Sequence, residues 1–142
     1  MVADLLRVVV DTNVLFEGLT RQGGAAGLVI DAWVAGLIRV HVSTALAYEY
    51  VDVLGRKLSP VRWRQVSVVL GALLRQAHHT EIHYRWRPIS PDPGDDKVID
   101  CAMNAGAVIV TCNLRDFQTA HSALGIPILA PAALVQRLAG LW

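Results

Sequence analysis

The chain has 142 residues, of which 54% are apolar and 18% charged, and a formal net charge of +1. That is one domain's worth of chain, long enough for one substantial core and unlike the composition of a disordered segment. The small net charge excludes a protein that grips nucleic acid through a global basic field, so such a partner has to be met by a local patch or by metal ions.

Leu6–Val10 (LRVVV) is β-branched, apolar and strand-length, as suits a central parallel strand buried on both faces. In open α/β sheets the ligand crevice lies beyond the carboxyl ends of such strands, and Asp11 stands there. DTN equally suits a helix cap or turn. Gly18–Gly27, with four glycines around Thr20, Arg21 and Gln22, reads as a flexible connection able to close over a substrate, Arg21 touching phosphate. Ala25–Leu37 has helical spacing, with Leu28, Val29, Ala32, Trp33 and Leu37 on or near one face. Ile38–Val42 alternates enough for a second strand.

Ser43 can cap a helix over Thr44–Leu58 whose apolar stripe is Ala47, Val51, Leu54 and Leu58. Glu49 lies away from that stripe, early in the helix. It shares a rim with Asp11 if strands one and two are parallel neighbours. After Ser59-Pro60, Val61–His79 reads as a helix with Trp63, Val66, Leu70, Leu73, Leu74 and Ala77 inward. His78, His79 and His83 lack the adjacent Glu of the zinc-protease motif, and a metal role for them is not expected. His83–Arg87 mixes two arginines with two aromatics. It reads as an amphipathic strand running to Pro88 in preference to a stacking platform for single strands.

Asp92–Phe117, DPGDDKVIDCAMNAGAVIVTCNLRDF, joins an acidic cluster (Asp92, Asp95, Asp96) to a helix with Val98, Ile99, Ala102 and Met103 on its apolar face. Gly106 marks the stop, and Ala107–Val110 is a short buried strand. Asp95 and Asp96 therefore sit at a helix N-terminus, which favours carboxylates whether or not they have a function. Leu124–Leu129 is a last strand that Pro127 places at an edge, and Pro131 starts a helix to about Leu141. Cys101 and Cys112 show no metal-ligand or disulfide spacing and are expected to be free thiols. The apolar run before Asp11 is too short for a signal peptide, and no stretch reaches the roughly 18 apolar residues of a membrane span. A cytoplasmic protein with no membrane association is expected.

The alternation predicts an α/β sheet with helices on both faces. Asp11, Glu49, Asp95 and Asp96 all fall at strand ends or helix starts, which could form one rim. Carboxylates brought together there would repel unless a divalent ion joined them, and an all-oxygen ligand set suits Mg²⁺ or Mn²⁺. Such an ion can activate water against a phosphodiester and supply the positive charge this chain lacks for RNA.

VVVDTNVLFEGL, VSTALAYEYVDVL and the Asp92–Phe117 stretch resemble the three signature blocks of PIN-domain proteins, in the usual order and at the usual separations. Among these the chain is most similar to small single-domain proteins akin to VapC-type toxins. The resemblance implies one PIN-like domain over residues 1–142. Its Rossmann-like three-layer α/β/α fold would have a mostly parallel central sheet. The implied activity is a metal-dependent endoribonuclease, a toxin held in check by an antitoxin and commonly a homodimer. Asp11, Glu49 and Asp95 match the family's first three acids, with Asp96 the neighbouring candidate for the third. The fourth acid, often in T-x-D, is Asn113 here, and Asp116 three residues on is the substitute candidate metal ligand. Asn13 and Thr111 would support the pocket, Asp100 is a possible outer ligand, and Arg21 and Arg115 are candidate substrate contacts. Two other readings remain: a PIN fold that has lost catalysis and binds RNA or protein, for which Asn113 speaks, and a phosphatase built on Asp11. The dehalogenase-type phosphatase pattern wants an Asp where Asn13 stands.

Overall fold

The computed structural model describes residues 4–21, 23–85 and 93–140. The expectations placed on Gln22, Trp86, Arg87, Pro88, Asp92, Leu141 and Trp142, and on the chain's first residues, lie outside them. In chain order the elements are β1 (Arg7–Val10), α1 (Thr12–Thr20), α2 (Ala25–Val34), β2 (Arg39–Val42), α3 (Thr44–Lys57) and α4 (Pro60–Gln76). There follow β3 (His78–His79), α5 (Pro93–Ala105), β4 (Val108–Val110), a 3-10 turn (Leu114–Phe117), α6 (Gln118–Leu124), β5 (Ile128–Leu129) and α7 (Pro131–Ala139).

The strands form one sheet in the order β3-β2-β1-β4-β5, every neighbouring pair parallel. Val8, Val9 and Val10 have no exposed surface, which is why this strand is apolar without alternation. Helix α5 lies against β1, β2 and β4, while α2 packs on both α1 and α7. The mostly parallel α/β architecture expected from the sequence is present, and the edge position of the last strand is confirmed.

Several local expectations are corrected. Gly18 is not part of a loop but of α1, which runs on to Thr20. A Cβ there would lie 2.5 Å from Ile30 Cγ1 and 2.7 Å from the Ala26 carbonyl oxygen, so glycine is what lets α1 and α2 approach. Helix α2 ends at Val34, with Gly36 in the left-handed region at φ 73°. Leu28 and Leu37 are exposed, and the buried face is Ala26, Val29, Ile30, Ala32 and Trp33. In α3 the core face is Leu46, Tyr50, Val53 and Leu54; Val51 points outward, 41% exposed. The sequence stripe missed Tyr50 because a tyrosine needs a partner for its hydroxyl to be buried, and that partner is distant in sequence. His78 and His79 are not the end of a helix. Helix α4 stops at Gln76 and they form β3, paired with His41 and Val42 of β2. The 3-10 turn and α6 were not foreseen.

His41 records the cost of that edge. Its ring lies 5.5 Å from that of His78, and its pKa is lowered from 6.5 to about 4, first by burial and then by the charges of His78, Arg39 and Arg7. The unfolded chain therefore takes up this proton near pH 6.5, whereas the folded chain does so only near pH 4. Stability is lost as pH falls through that window. Urea midpoints at pH 7 and pH 5 should drop further in the wild type than in His41→Asn; equal drops would remove His41 from the account.

Candidate metal centre

The chain leaves β1 toward β2 and β3, then crosses back through α5 to β4 on the other side of β1. The carboxyl ends of β1 and β4 therefore flank the topological switch point, where open parallel sheets form their crevice. Asp11 follows β1 directly and Thr111 follows β4. The Asp11 backbone N–H donates to the Val110 carbonyl at 2.9 Å, which fixes the residue to both strands. Its Oδ1 accepts from Thr12 N at 2.8 Å, making Asp11 the N-cap of α1, and its Oδ2 accepts from Thr111 Oγ1 at 2.8 Å. Thr111 is fully buried, and its Oγ1 accepts from Asn113 N at 2.9 Å. Asp11 is thus both a helix cap and a carboxylate locked in orientation, two roles that its sequence position left open.

Tyr50 supports the end of the strand. Its hydroxyl donates to the Val10 carbonyl from a fully buried position. Burial raises the phenol well above its ordinary range; Cys101, which is charged only at the high pH where it ionises, and the Asp11 carboxylate add to this, so the group stays a donor.

Asp11, Thr12, Asn13, Glu49, Gly94 and Asp95 line one cavity of about 180 Å³, together with Val53, Arg56 and Lys57. Three segments far apart in sequence meet here because β1 and β2 are parallel neighbours and α5 starts on the same rim. Asp95 stands in the first turn of α5, where the helix dipole favours a carboxylate. Glu49 borders the α3 core face, and its Oε2 accepts from Lys97 Nζ at 2.8 Å, the Glu49 side chain being 20% exposed. Lys97 was not anticipated, nor were Arg56 and Lys57. The latter two had a signal: Glu49, Val53, Arg56 and Lys57 follow i, i+4, i+7, i+8, one face of a helix. Arg56 is paired with Asp52 at 3.1 Å, and the Lys57 ammonium lies 5.1 Å from the centre of the Phe16 ring.

Other expected site residues fall outside the cavity lining. Asp96 and Asp100 are buried on α5, 6% and 5% exposed, and line no part of it. Asn113 and Asp116 hold each other across the 3-10 turn, Nδ2 donating to Oδ2 at 2.6 Å, and neither lines the cavity. Arg115 is exposed on the same turn. Arg21 pairs with Glu17 at 3.5 Å and lines a separate hollow with Gly18, Gly24 and Asp31. The Glu17 carboxylate also accepts from the exposed Cys112 thiol at 3.6 Å. Both cysteines are free thiols, Cys101 being buried.

The donor types at the cavity suit a hard divalent cation, since all three carboxylates offer oxygen. Among the described residues, however, no three His, Cys, Asp or Glu side chains converge closely enough to hold a metal ion. The carboxylates share a cavity without closing into a cage, and Lys97 holds one of them.

A family model described as PIN domain matches residues 7–115. A search of curated protein sequences returned no significant match. Among solved structures the chain is similar to VapBC2 from Rickettsia felis, solved bound to a promoter DNA fragment. The TM-score is 0.60 at 13% identity over 88% of this chain and 98% of that one. It is also similar to VapBC-1 from nontypeable Haemophilus influenzae, with TM-score 0.58 at 14% identity over 89% and 99%. For PAE2754 from Pyrobaculum aerophilum the TM-score is 0.61 at 18% identity over 95% and 96%. At these identities the likeness is one of fold. No helix among the described residues is long and apolar enough to cross a membrane.

Proposed function

The chain belongs to the PIN-domain family, and from that premise we propose that it is a metal-dependent endoribonuclease, the toxin of a toxin–antitoxin pair. The observation that carries this reading is that Asp11, Glu49 and Asp95 line one cavity at the switch point of the sheet. Similarity of fold to two VapBC complexes supports the toxin–antitoxin assignment. On this reading residues 1–142 act as one PIN-like domain, working in the cytoplasm as a homodimer.

Drawn closer around the ion, Asp11, Glu49 and Asp95 would hold Mg²⁺ or Mn²⁺; Asp96 and Asp116, which lie off the cavity lining, are the further acids that the family pattern suggests. When bound, the ion supplies positive charge to the scissile phosphate and acidifies an attacking water. Thr12 N and Thr111 Oγ1 keep both Asp11 oxygens aimed, so the carboxylate does not reorganise as substrate arrives. Lys97 partly neutralises Glu49 through Oε2, and the second oxygen of a carboxylate can bind an ion while the first keeps such a pair. Arg56 and Lys57 give the cavity rim the local positive charge that the whole chain lacks, and they replace Arg21 and Arg115 as the first candidates for contact with the RNA backbone. Asn13, also on the lining, is placed to hydrogen-bond the substrate or an ordered water.

Calorimetric titration of Mn²⁺ into the wild type and Glu49→Gln, followed by incubation with mixed single-stranded RNA, tests the reading. Saturable binding and cutting by the wild type, with binding weakened at least about tenfold in the variant, is the expected result. Binding without cutting would favour an RNA- or protein-binding module, with Asn113 in place of the fourth acid as its cause. Neither binding nor cutting would sink the nuclease assignment.

A further inference from the structure

The opposite, amino end of the strands carries a second cluster of chemistry-bearing side chains. Arg7 and Arg39 are Cα partners on β1 and β2, and Arg137 comes from the last turn of α7. All three line one cavity of about 480 Å³ with Asp4, Leu5, Val108 and Leu138. Like charges in register across neighbouring strands repel, and this lining holds three arginines and a single carboxylate, Asp4. Among the described residues none of the three arginines forms an ion pair.

Their protein contacts are few. Arg39 Nε donates to His78 Nε2 at 3.3 Å, and Arg7 Nη1 reaches the Ala105 carbonyl at the end of α5 at 3.5 Å. A helix C-terminus accounts for the placement of Arg7, and the end of its own helix for that of Arg137, but neither neutralises a full charge. Arg39 lies at no helix end. The same excess charge reaches His41, where Arg39 and Arg7 contribute to the lowered pKa.

We infer that this cavity binds a phosphate ester of mononucleotide size, its phosphate on Arg7, Arg39 and Arg137 and its organic part on Leu5, Val108 and Leu138. Guanidinium forks match phosphate oxygens in pairs, which favours phosphate over a monovalent anion. The volume falls within the roughly 300–1,000 Å³ of small-molecule sites, too large for phosphate alone, and the leucines suit an apolar or aromatic group. The site is separate from the carboxylate cavity: Arg7 and Asp11 lie at opposite ends of β1, about 13 Å apart at roughly 3.3 Å per residue. The ligand is a free mononucleotide or the 5′-phosphorylated end of a strand, which share this chemistry.

Isothermal titration calorimetry of the full chain, in chelator, with adenosine 5′-monophosphate, inorganic phosphate and adenosine tests the inference. The monophosphate should bind with one-to-one saturation, at least about tenfold more tightly than phosphate or adenosine. Arg39→Ala with Arg137→Ala should weaken it at least about tenfold, and Arg39→Lys, which keeps the charge and loses the fork, should also weaken it. Asp11→Asn should leave it unchanged. Displacement of the monophosphate by a 5′-phosphorylated trinucleotide and not by its 5′-hydroxyl form would identify a strand end as the source; no displacement by either would identify the free nucleotide. Absence of saturable binding by the wild type overturns the inference. So does equal affinity for inorganic phosphate, or loss in Asp11→Asn with the arginine variants unaffected.

Discussion

Replacing Asp11 by Asn is expected to lower Mn²⁺-dependent RNA cleavage by more than about 100-fold, because loss of a partner that merely orients a ligand already costs about 10–100-fold. The fold should survive. Asn caps helices about as well as Asp, and its carbonyl can still accept from Thr12 N. What is lost is the charge and the second oxygen. An amide NH₂ would face Thr111 Oγ1, which already accepts from Asn113 N, so the Thr111 hydroxyl hydrogen would lose its acceptor. Thr111→Val separates the two effects: it keeps the charge, removes the aim, and should weaken Mn²⁺ binding by about 10–100-fold. Single-turnover cleavage and thermal unfolding of both variants decide the matter. An Asp11→Asn protein that cuts within a few-fold of the wild type would remove Asp11 from the chemistry.

Gly18→Val should give the largest loss of stability at a position that the sequence presents as a loop. The new Cβ would meet Ile30 Cγ1 at 2.5 Å and a backbone carbonyl of α2 at 2.7 Å. The side chain can turn away, but the carbonyl belongs to a helix and cannot. Overpacking of this kind costs about 1–3 kcal/mol. At roughly 2–4 °C per kcal/mol for a domain near this size, the unfolding midpoint should fall by several degrees. Gly71→Ala in α4 is the contrasting case. Its Cβ would meet only the flexible end of Arg75 at 3.6 Å, and the gain in helix propensity, about 0.5–1 kcal/mol, should raise the midpoint. An unchanged midpoint for Gly18→Val would mean that α1 and α2 can part without cost.

The strands were legible wherever burial on both faces removed the need for alternation, as in Val8–Val10 and Val108–Val110. Helix α5 was legible for the opposite reason, its apolar spacing and the left-handed Gly106 both being local signals. Errors arose where a partner distant in sequence decided the outcome. The core face of α3 turns on Tyr50, whose burial depends on the Val10 carbonyl 40 residues away. The pair His78–His79 is a strand only because β2 offers an edge, and two residues carry no periodicity to show it.

By itself the sequence determined which residues can be buried, which strands are central and which acids stand at strand ends, because these follow from hydrophobicity and from the local geometry of caps and turns. The three signature blocks also identified the family. Only the tertiary structure decided which of those acids share a cavity. Parallel pairing of β1 with β2 and the return of α5 bring Asp11, Glu49 and Asp95 together; Asp96 and Asp100 are buried on α5 off that lining, and Asp116 is held by Asn113. Adjacent residues on a helix point about 100° apart, so neighbours in the chain such as Asp95 and Asp96 are sent to different surroundings. The cations Lys97, Arg56 and Lys57 became part of the site for the same reason: position along a sequence does not show what faces a side chain across a crevice.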